Sequence, residues 1–202
     1  VTGPDQAKWD ARWGDAPGPG EPARVLTDFA HLLPTSGQAL DLACGLGANA
    51  LFLAARGLEV RAWDLSPVAI GRLAREAAAR GLPVGAEVRD VVASPPEPSS
   101  FDVLVVAHFL DRALAPPLAA ALRPGGLLYY QTFTRARVDD LGPRDDQYRL
   151  GANELLGLFA GLQVLAYREE GRVGDLRQGF RNQAYLVAMR PHLGPVDLPG
   201  TP

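Results

Sequence analysis

Between residues 38 and 109 the chain alternates between short apolar runs and helical repeats: "QALDLA", "GANALFLAAR", "LEVRAWD", "SPVAIGRLAREAAAR", "VGAEVRD" and, past the loop "VVASPPEPSS", "FDVLVVAHF". Strands that return through helices pair in parallel, because each parallel partner must start at the end where its predecessor began. This pattern predicts a three-layer, doubly wound α/β fold on a mostly parallel, seven-stranded sheet.

Local signals agree with that plan. Ser66 suits an N-cap and Pro67 the first helical position, while Ile70, Leu73, Ala74 and Ala77 form one apolar stripe. "APPLAAALRPGG" predicts a helix from Pro117 that Pro124-Gly125-Gly126 ends, followed by the buried strand "LLYYQTFT". "LQVLAYREE" and "FRNQAYLVAMR" have no helix between them, so the sheet should finish with an antiparallel pair and an antiparallel C-terminal strand. Upstream, "DQAKWDARW" predicts a short helix with Trp9 and Trp13 on one face, and "EPARVLTDFAHLL" a second one that Pro34 closes. The expected layout is an N-terminal helical arm over 1–33, a single domain over 34–190 and a frayed tail over 191–202.

Composition narrows the function classes. A net charge of −3 supplies no basic field to draw a phosphate backbone, so nucleic acid is not an expected partner. The one cysteine, Cys44, has neither a disulfide partner nor neighbours at metal-ligand spacing, so no metal is expected and a reducing cytoplasm fits. No window has the apolar length of a membrane span, and "VTGPDQAKWDARWGD" lacks the apolar centre of a signal peptide.

The chemistry centres on "DLACGLGANA". Gly45 and Gly47 fall where the first strand meets its helix, with Ala50 in the third position of a G-x-G-x-x-G/A pattern, so backbone amides can approach a ligand at the helix start. Both dinucleotides and S-adenosylmethionine bind such turns. A pyrophosphate beside Asp41 would meet repulsion, whereas an ammonium and a sulfonium would be favoured. Asp64 ends the second strand nineteen residues after Gly45, where a carboxylate accepts ribose hydroxyls, and Asp90 ends the third. For Asp41 or Asp64 alone, helix capping is an equally simple reading; three successive carboxylate-ended strands favour a cofactor site.

"LDLACGLGANALFLAARGLEVRAWDLSPVAI" resembles motif I through the second strand of class I S-adenosylmethionine-dependent methyltransferases, and "RPGGLLYYQTF" resembles a later segment of theirs. "WDARW", Asn49 and "YRLGANELLGLF" look most like the branch of tellurite-resistance and thiopurine methyltransferase-like proteins. The resemblance implies an enzyme that uses S-adenosyl-L-methionine, releases S-adenosyl-L-homocysteine and methylates a small-molecule sulfur, chalcogen, oxygen or nitrogen nucleophile by in-line displacement. It assigns Asp41, Ala43, Cys44, Gly45, Gly47 and Asn49 to the methionine end, Asp64 to the ribose, Asp90 with Leu65 and Val91 to the adenine, and Ala107 to the cofactor wall. Ala43 departs from the glycine many relatives have there. An NAD(P)-dependent oxidoreductase and a non-catalytic cofactor-binding or scaffold protein are the alternatives.

In-line methyl transfer depends mainly on alignment, so the lack of a nucleophilic triad is no objection. His108 ends the fourth strand and either orients or deprotonates an acceptor or serves a backbone bond. Trp9, Arg12 and Trp13 either enclose the ligand or dock the arm. In the loop 134–151 Arg135, Arg137, Arg144 and Arg149 alternate with Asp139, Asp140, Asp145 and Asp146, which describes a solvated, self-neutralising segment whose position also suits a substrate lid.

Overall fold

The computed structural model describes residues 4–192; of the tail expected over 191–202, all but Pro191 and His192 lie outside these residues. The strands are β1 (Gln38–Leu42), β2 (Glu59–Asp64), β3 (Val84–Val88), β4 (Phe101–Ala107), β5 (Leu122–Phe133), β6 (Gln163–Glu169) and β7 (Gln183–Met189). They form one seven-stranded sheet in the order β3-β2-β1-β4-β5-β7-β6. β3 through β5 pair in parallel, and β7 is antiparallel to both β5 and β6. The helices are α1 (Pro4–Asp15), α2 (Arg24–Asp28), α3 (Ala48–Ala54), α4 (Pro67–Ala79), α5 (Ala115–Ala121) and α6 (Glu154–Leu158). Among the described residues no helix is long and apolar enough to cross a membrane.

Each face of the sheet buries its own cluster. Leu40, Leu42, Leu104, Val106, Leu128 and Tyr130 belong to one, and Ala39, Val60, Val103, Val105, Tyr129 and Val187 to the other. Neighbouring positions of one strand thus alternate between the two cores, as the two-residue repeat of a strand requires. The chain leaves β1 toward β2 and comes back to add β4 on the other side, so the strand order reverses between β1 and β4, and sheets of this kind bind ligands at the carboxyl ends beside such a switch point.

Ser66 Oγ accepts the Ala69 N–H at 3.1 Å and caps α4, as its sequence predicts. Of the predicted stripe, Ile70, Leu73 and Ala77 are buried and Ala74 is exposed. The predicted 21–33 helix is broken: α2 stops at Asp28, and a single 3₁₀ turn follows at Ala30–Leu32. Its entry, Ala23, has no capping side chain of its own. Remote residues supply the caps, Asn49 Oδ1 accepting the Ala23 N–H and Gln131 Oε1 the Val25 N–H, each at 2.8 Å. α5 starts at Ala115, two residues before the predicted Pro117, and Pro124-Gly125-Gly126 lies inside β5 instead of ending a helix.

The 134–151 loop differs from the solvated segment its charges suggest. Arg149 is fully buried, its guanidinium donating to the carbonyls of Pro143 at 2.6 Å and Thr134 at 2.8 Å and to Leu141. The loop wraps around this cation, while Arg137 pairs with Asp146 at the surface. Burial pushes the Arg149 pKa down, and the nearby Arg137 charge adds to that.

Candidate cofactor and acceptor site

The turn after β1 departs from ordinary backbone at three alternate positions. Ala43 has φ +54, and Gly45 and Gly47 have φ +53 and +78. These left-handed angles suit glycine and strain an alanine. The turn is pinned from β2: the Gly45 N–H donates to Asp64 Oδ2 at 2.8 Å and the Ser66 N–H to Asp64 Oδ1 at 2.9 Å. Asp64 therefore holds the glycine turn and the start of α4 in one register. Burial raises its pKa, against the lowering by those two amides.

Asp41 faces the protein interior. It is 1% exposed, its Oδ2 accepts the Ala50 N–H at 3.0 Å, and its Oδ1 accepts Asn49 Nδ2 at 3.4 Å. It caps the first turn of α3 from a distance, and Asn49 carries the chain of bonds on to Ala23. Desolvation pushes its pKa up to about 7, over the lowering from Asn49 and Ala50. Cys44 lies between the two carboxylates. Burial, then Asp41 and Asp64, push its thiol up, which keeps it protonated and unreactive.

Of the residues expected beside an adenine, Leu65 is half-buried and Val91 is 6% exposed. Asp90 is exposed, and its Oδ1 accepts the N–H groups of Val92 at 3.0 Å and Ala93 at 3.1 Å. Among the described residues its Oδ2 has no partner. Arg89 stacks on Trp63 at 3.9 Å and donates to the carbonyls of Ser94 and Pro95, fixing the loop that carries Val91.

The arm lies across this end of the sheet. Asp10 accepts from Ser66 Oγ and, at 3.4 Å, from the Val68 N–H, while Arg72 donates to the carbonyls of Trp13 and Gly14. The Trp13 indole sits directly on the turn: a Cβ on Gly45 would come within 2.7 Å of the ring. Among the described residues Trp13 Nε1 is buried without a hydrogen-bond partner, and an unpaired donor there suits a polar ligand. Trp9 stacks on Trp13 with centroids 6.0 Å apart, and Arg12 lies 5.6 and 5.4 Å from the two ring centroids.

On the β4 side, Ala107 is half-buried and His108 is exposed with φ +57. Its N–H donates to the Gln131 carbonyl at 2.8 Å and its ring lies 5.1 Å from that of Phe133. His108 Nε2 is 3.1 Å from Gln183 Oε1, which also accepts Gln131 Nε2 at 2.8 Å. Crowding by protein lowers the His108 pKa and the Arg12 charge adds to that, while the Gln183 bond opposes it. Sequence reasoning passed over Gln131 and Gln183. The one visible signal was an amide in the apolar run "LLYYQTF".

Two shallow depressions lie at the opposite end of the sheet, one lined by Gln38, Glu59, Arg61 and Pro83, the other by Asp102, Pro124, Gly125 and His192. In the second, Asp102 Oδ2 is engaged by the Gln38 N–H and by Arg123, each at 2.7 Å. The chemistry-bearing residues converge at the carboxyl ends.

Residues 39–126 match the family described as methyltransferase domain. A ubiquinone biosynthesis O-methyltransferase from Xanthomonas axonopodis pv. citri is 30% identical over 136 residues, 61% of this chain and 57% of the relative. The chain spans 32% to 57% of the length of the curated relatives it matches. A solved structure reported for the conversion of a disulfide bond into a thioacetal group during echinomycin biosynthesis is 25% identical, with TM-score 0.69 over 94% of both chains. TehB from Haemophilus influenzae shares the fold at 22% identity, with TM-score 0.68 over 82% of this chain and 61% of that one. The matched span thus resembles a methyltransferase domain, the chain has a Rossmann-like fold, and the cofactor such a domain implies is S-adenosylmethionine.

Proposed function

We propose that this chain transfers a methyl group from S-adenosylmethionine to a small-molecule nucleophile. The observation that carries the reading is the glycine turn held by Asp64 at 2.8 Å, enclosed by Trp13 on one side and facing His108 across the sheet's switch point.

The residues present fit that cofactor. The turn 43–47 would take its methionine end, with the unpaired Trp13 Nε1–H and Arg12 available to the amino-acid group. Asp64 keeps lone pairs beyond its two amide bonds and would accept the ribose hydroxyls. Asp90 Oδ2 would accept the adenine amino group between Leu65 and Val91, and Ala107 would line the wall. Asp41 acts through the shape of α3, since its oxygens are engaged by Ala50 and Asn49. When bound, the cofactor supplies a methyl group already attached to a good leaving group, so the protein's task is alignment and exclusion of water.

In this reading residues 1–33 act as an arm that encloses the ligand and 34–190 as the catalytic domain, in the cytoplasm. The "WDARW" arm supports placement near the tellurite-resistance and thiopurine methyltransferase-like branch. The relatives' names span an oxygen acceptor and a sulfur-centred conversion, so the acceptor is best sought among thiols, chalcogen oxyanions, phenols and amines. A screen for S-adenosylhomocysteine release with that panel is the test. Turnover with one class establishes the activity; cofactor binding with no methylated product across the panel rejects it.

A further inference from the structure

The orientation of the amides beside His108 follows from one fixed donor. A backbone N–H can only donate, so Gln131, which faces Val25 N at 2.8 Å, must present its oxygen there. Its Nε2 is then the end that meets Gln183, and Gln183 must present its oxygen in return, at 2.8 Å. That same Gln183 oxygen lies 3.1 Å from His108 Nε2. An oxygen acceptor requires a donor opposite, so Nε2 carries the proton. Among the described residues, Nδ1 has no partner.

We propose that Gln131 and Gln183 are positioning residues that lock neutral His108 as the Nε2–H tautomer, leaving Nδ1 as the atom that takes the proton from a hydroxyl or thiol acceptor. This rests on the methyl-transfer reading and deepens it by naming the proton-accepting atom and the acceptor class. As the acceptor's O–H or S–H bond breaks, its proton passes to Nδ1. The freed electron pair forms the bond to the methyl carbon, and the methyl–sulfur bond breaks with its pair remaining on sulfur. The imidazolium then releases the proton to water. The left-handed backbone of His108, tied by its N–H to the Gln131 carbonyl, holds the ring at the strand end. The described charged group that acts on the ring is Arg12 of α1; Gln131 and Phe133 of β5 and Gln183 of β7 are uncharged.

Nitrogen-15 NMR of the ring reads the tautomer with no substrate present. The chain has three histidines, so His108→Asn identifies the signal. Above the titration midpoint, the wild type should show a protonated Nε2 and a bare Nδ1, and Gln183→Leu should show a mixture. Gln183→Glu, which still accepts from both neighbours, should keep the tautomer and shift the acid limb of the kcat–pH profile upward. With hydroxyl or thiol acceptors Gln183→Leu should lower kcat about tenfold at unchanged KM for the cofactor, and with a chalcogen oxyanion, which brings no proton, it should not. A wild-type ring protonated on Nδ1, or an equal loss with the oxyanion, overturns the proposal. Calorimetry with S-adenosylmethionine separates the two claims: absent binding rejects the methyl-transfer reading, whereas the tautomer is read independently.

Discussion

The backbone amide of Gly45 donates to Asp64 at 2.8 Å, tying the turn after the first strand to the end of the second. One buried carboxylate thereby shapes the amide-lined turn and, through the Ser66 N–H, ties it to the start of α4. Replacing Asp64 by Ala removes two buried acceptor bonds. S-adenosylmethionine affinity should fall about 10- to 100-fold, since one lost charged hydrogen bond to the ribose is worth about 1.5–3 kcal/mol. Isothermal calorimetry on a variant whose circular dichroism is unchanged checks this, and undiminished affinity would reject the site.

Gly45→Ala tests the contact between the arm and the turn. A methyl there strains the φ of +53 and presses into the Trp13 ring. We expect a stability loss of about 1–2 kcal/mol from the backbone alone. The arm should also lift, which faster tryptic cleavage after Lys8 and Arg12 would report.

Asp41 makes a pH prediction with a definite sign. Its folded pKa, about 7, is above the ordinary 3.8, so between these values the folded state holds more protons than the unfolded one. Stability from this group is complete below about pH 4 and is lost as the pH rises through 7. Urea unfolding of wild type against Asp41→Asn should show the variant gaining relative stability across that window. A difference that is flat with pH would show that Asp41 is ionised throughout.

Ala43 holds a left-handed φ of +54 that glycine adopts freely. Ala43→Gly should raise stability by about 0.5–1 kcal/mol, the relieved strain exceeding the entropy glycine adds to the unfolded chain. A higher melting temperature with cofactor affinity retained is the expected result.

Arg149→Met should free the 134–151 loop. The guanidinium satisfies three carbonyls from inside, and its loss should cost about 3 kcal/mol. Arg149→Lys should recover little of this, because one ammonium cannot reproduce the planar fork. Hydrogen exchange should speed up in 134–150 while β1 through β4 stay protected.

Much of this was legible in residue order, for a physical reason: periodicity and capping are local. The two-residue repeat in "FDVLVVA", the 3.6-residue repeat after Ser66 and the glycines of "CGLG" each act within a few positions, so strands, α4 and the turn were readable. The start of α2 was misjudged because its N-terminal caps come from Asn49 and Gln131, far along the chain. Arg149 looked like one more surface charge, because nothing in the alternating acids and bases tells which cation the loop will enclose.

Sequence alone determined the topology of alternating strands and helices and the placement of glycines and carboxylates at strand ends, since these follow from local sterics and from the need to bury one face of each element. Only the tertiary structure decided which carboxylate holds the glycine turn and which caps α3, that Trp13 rests on Gly45, and that two glutamines orient His108. Those outcomes depend on which donors lie within about 3 Å once distant segments pack, and a hydrogen bond has no range beyond that with which to mark the chain in advance.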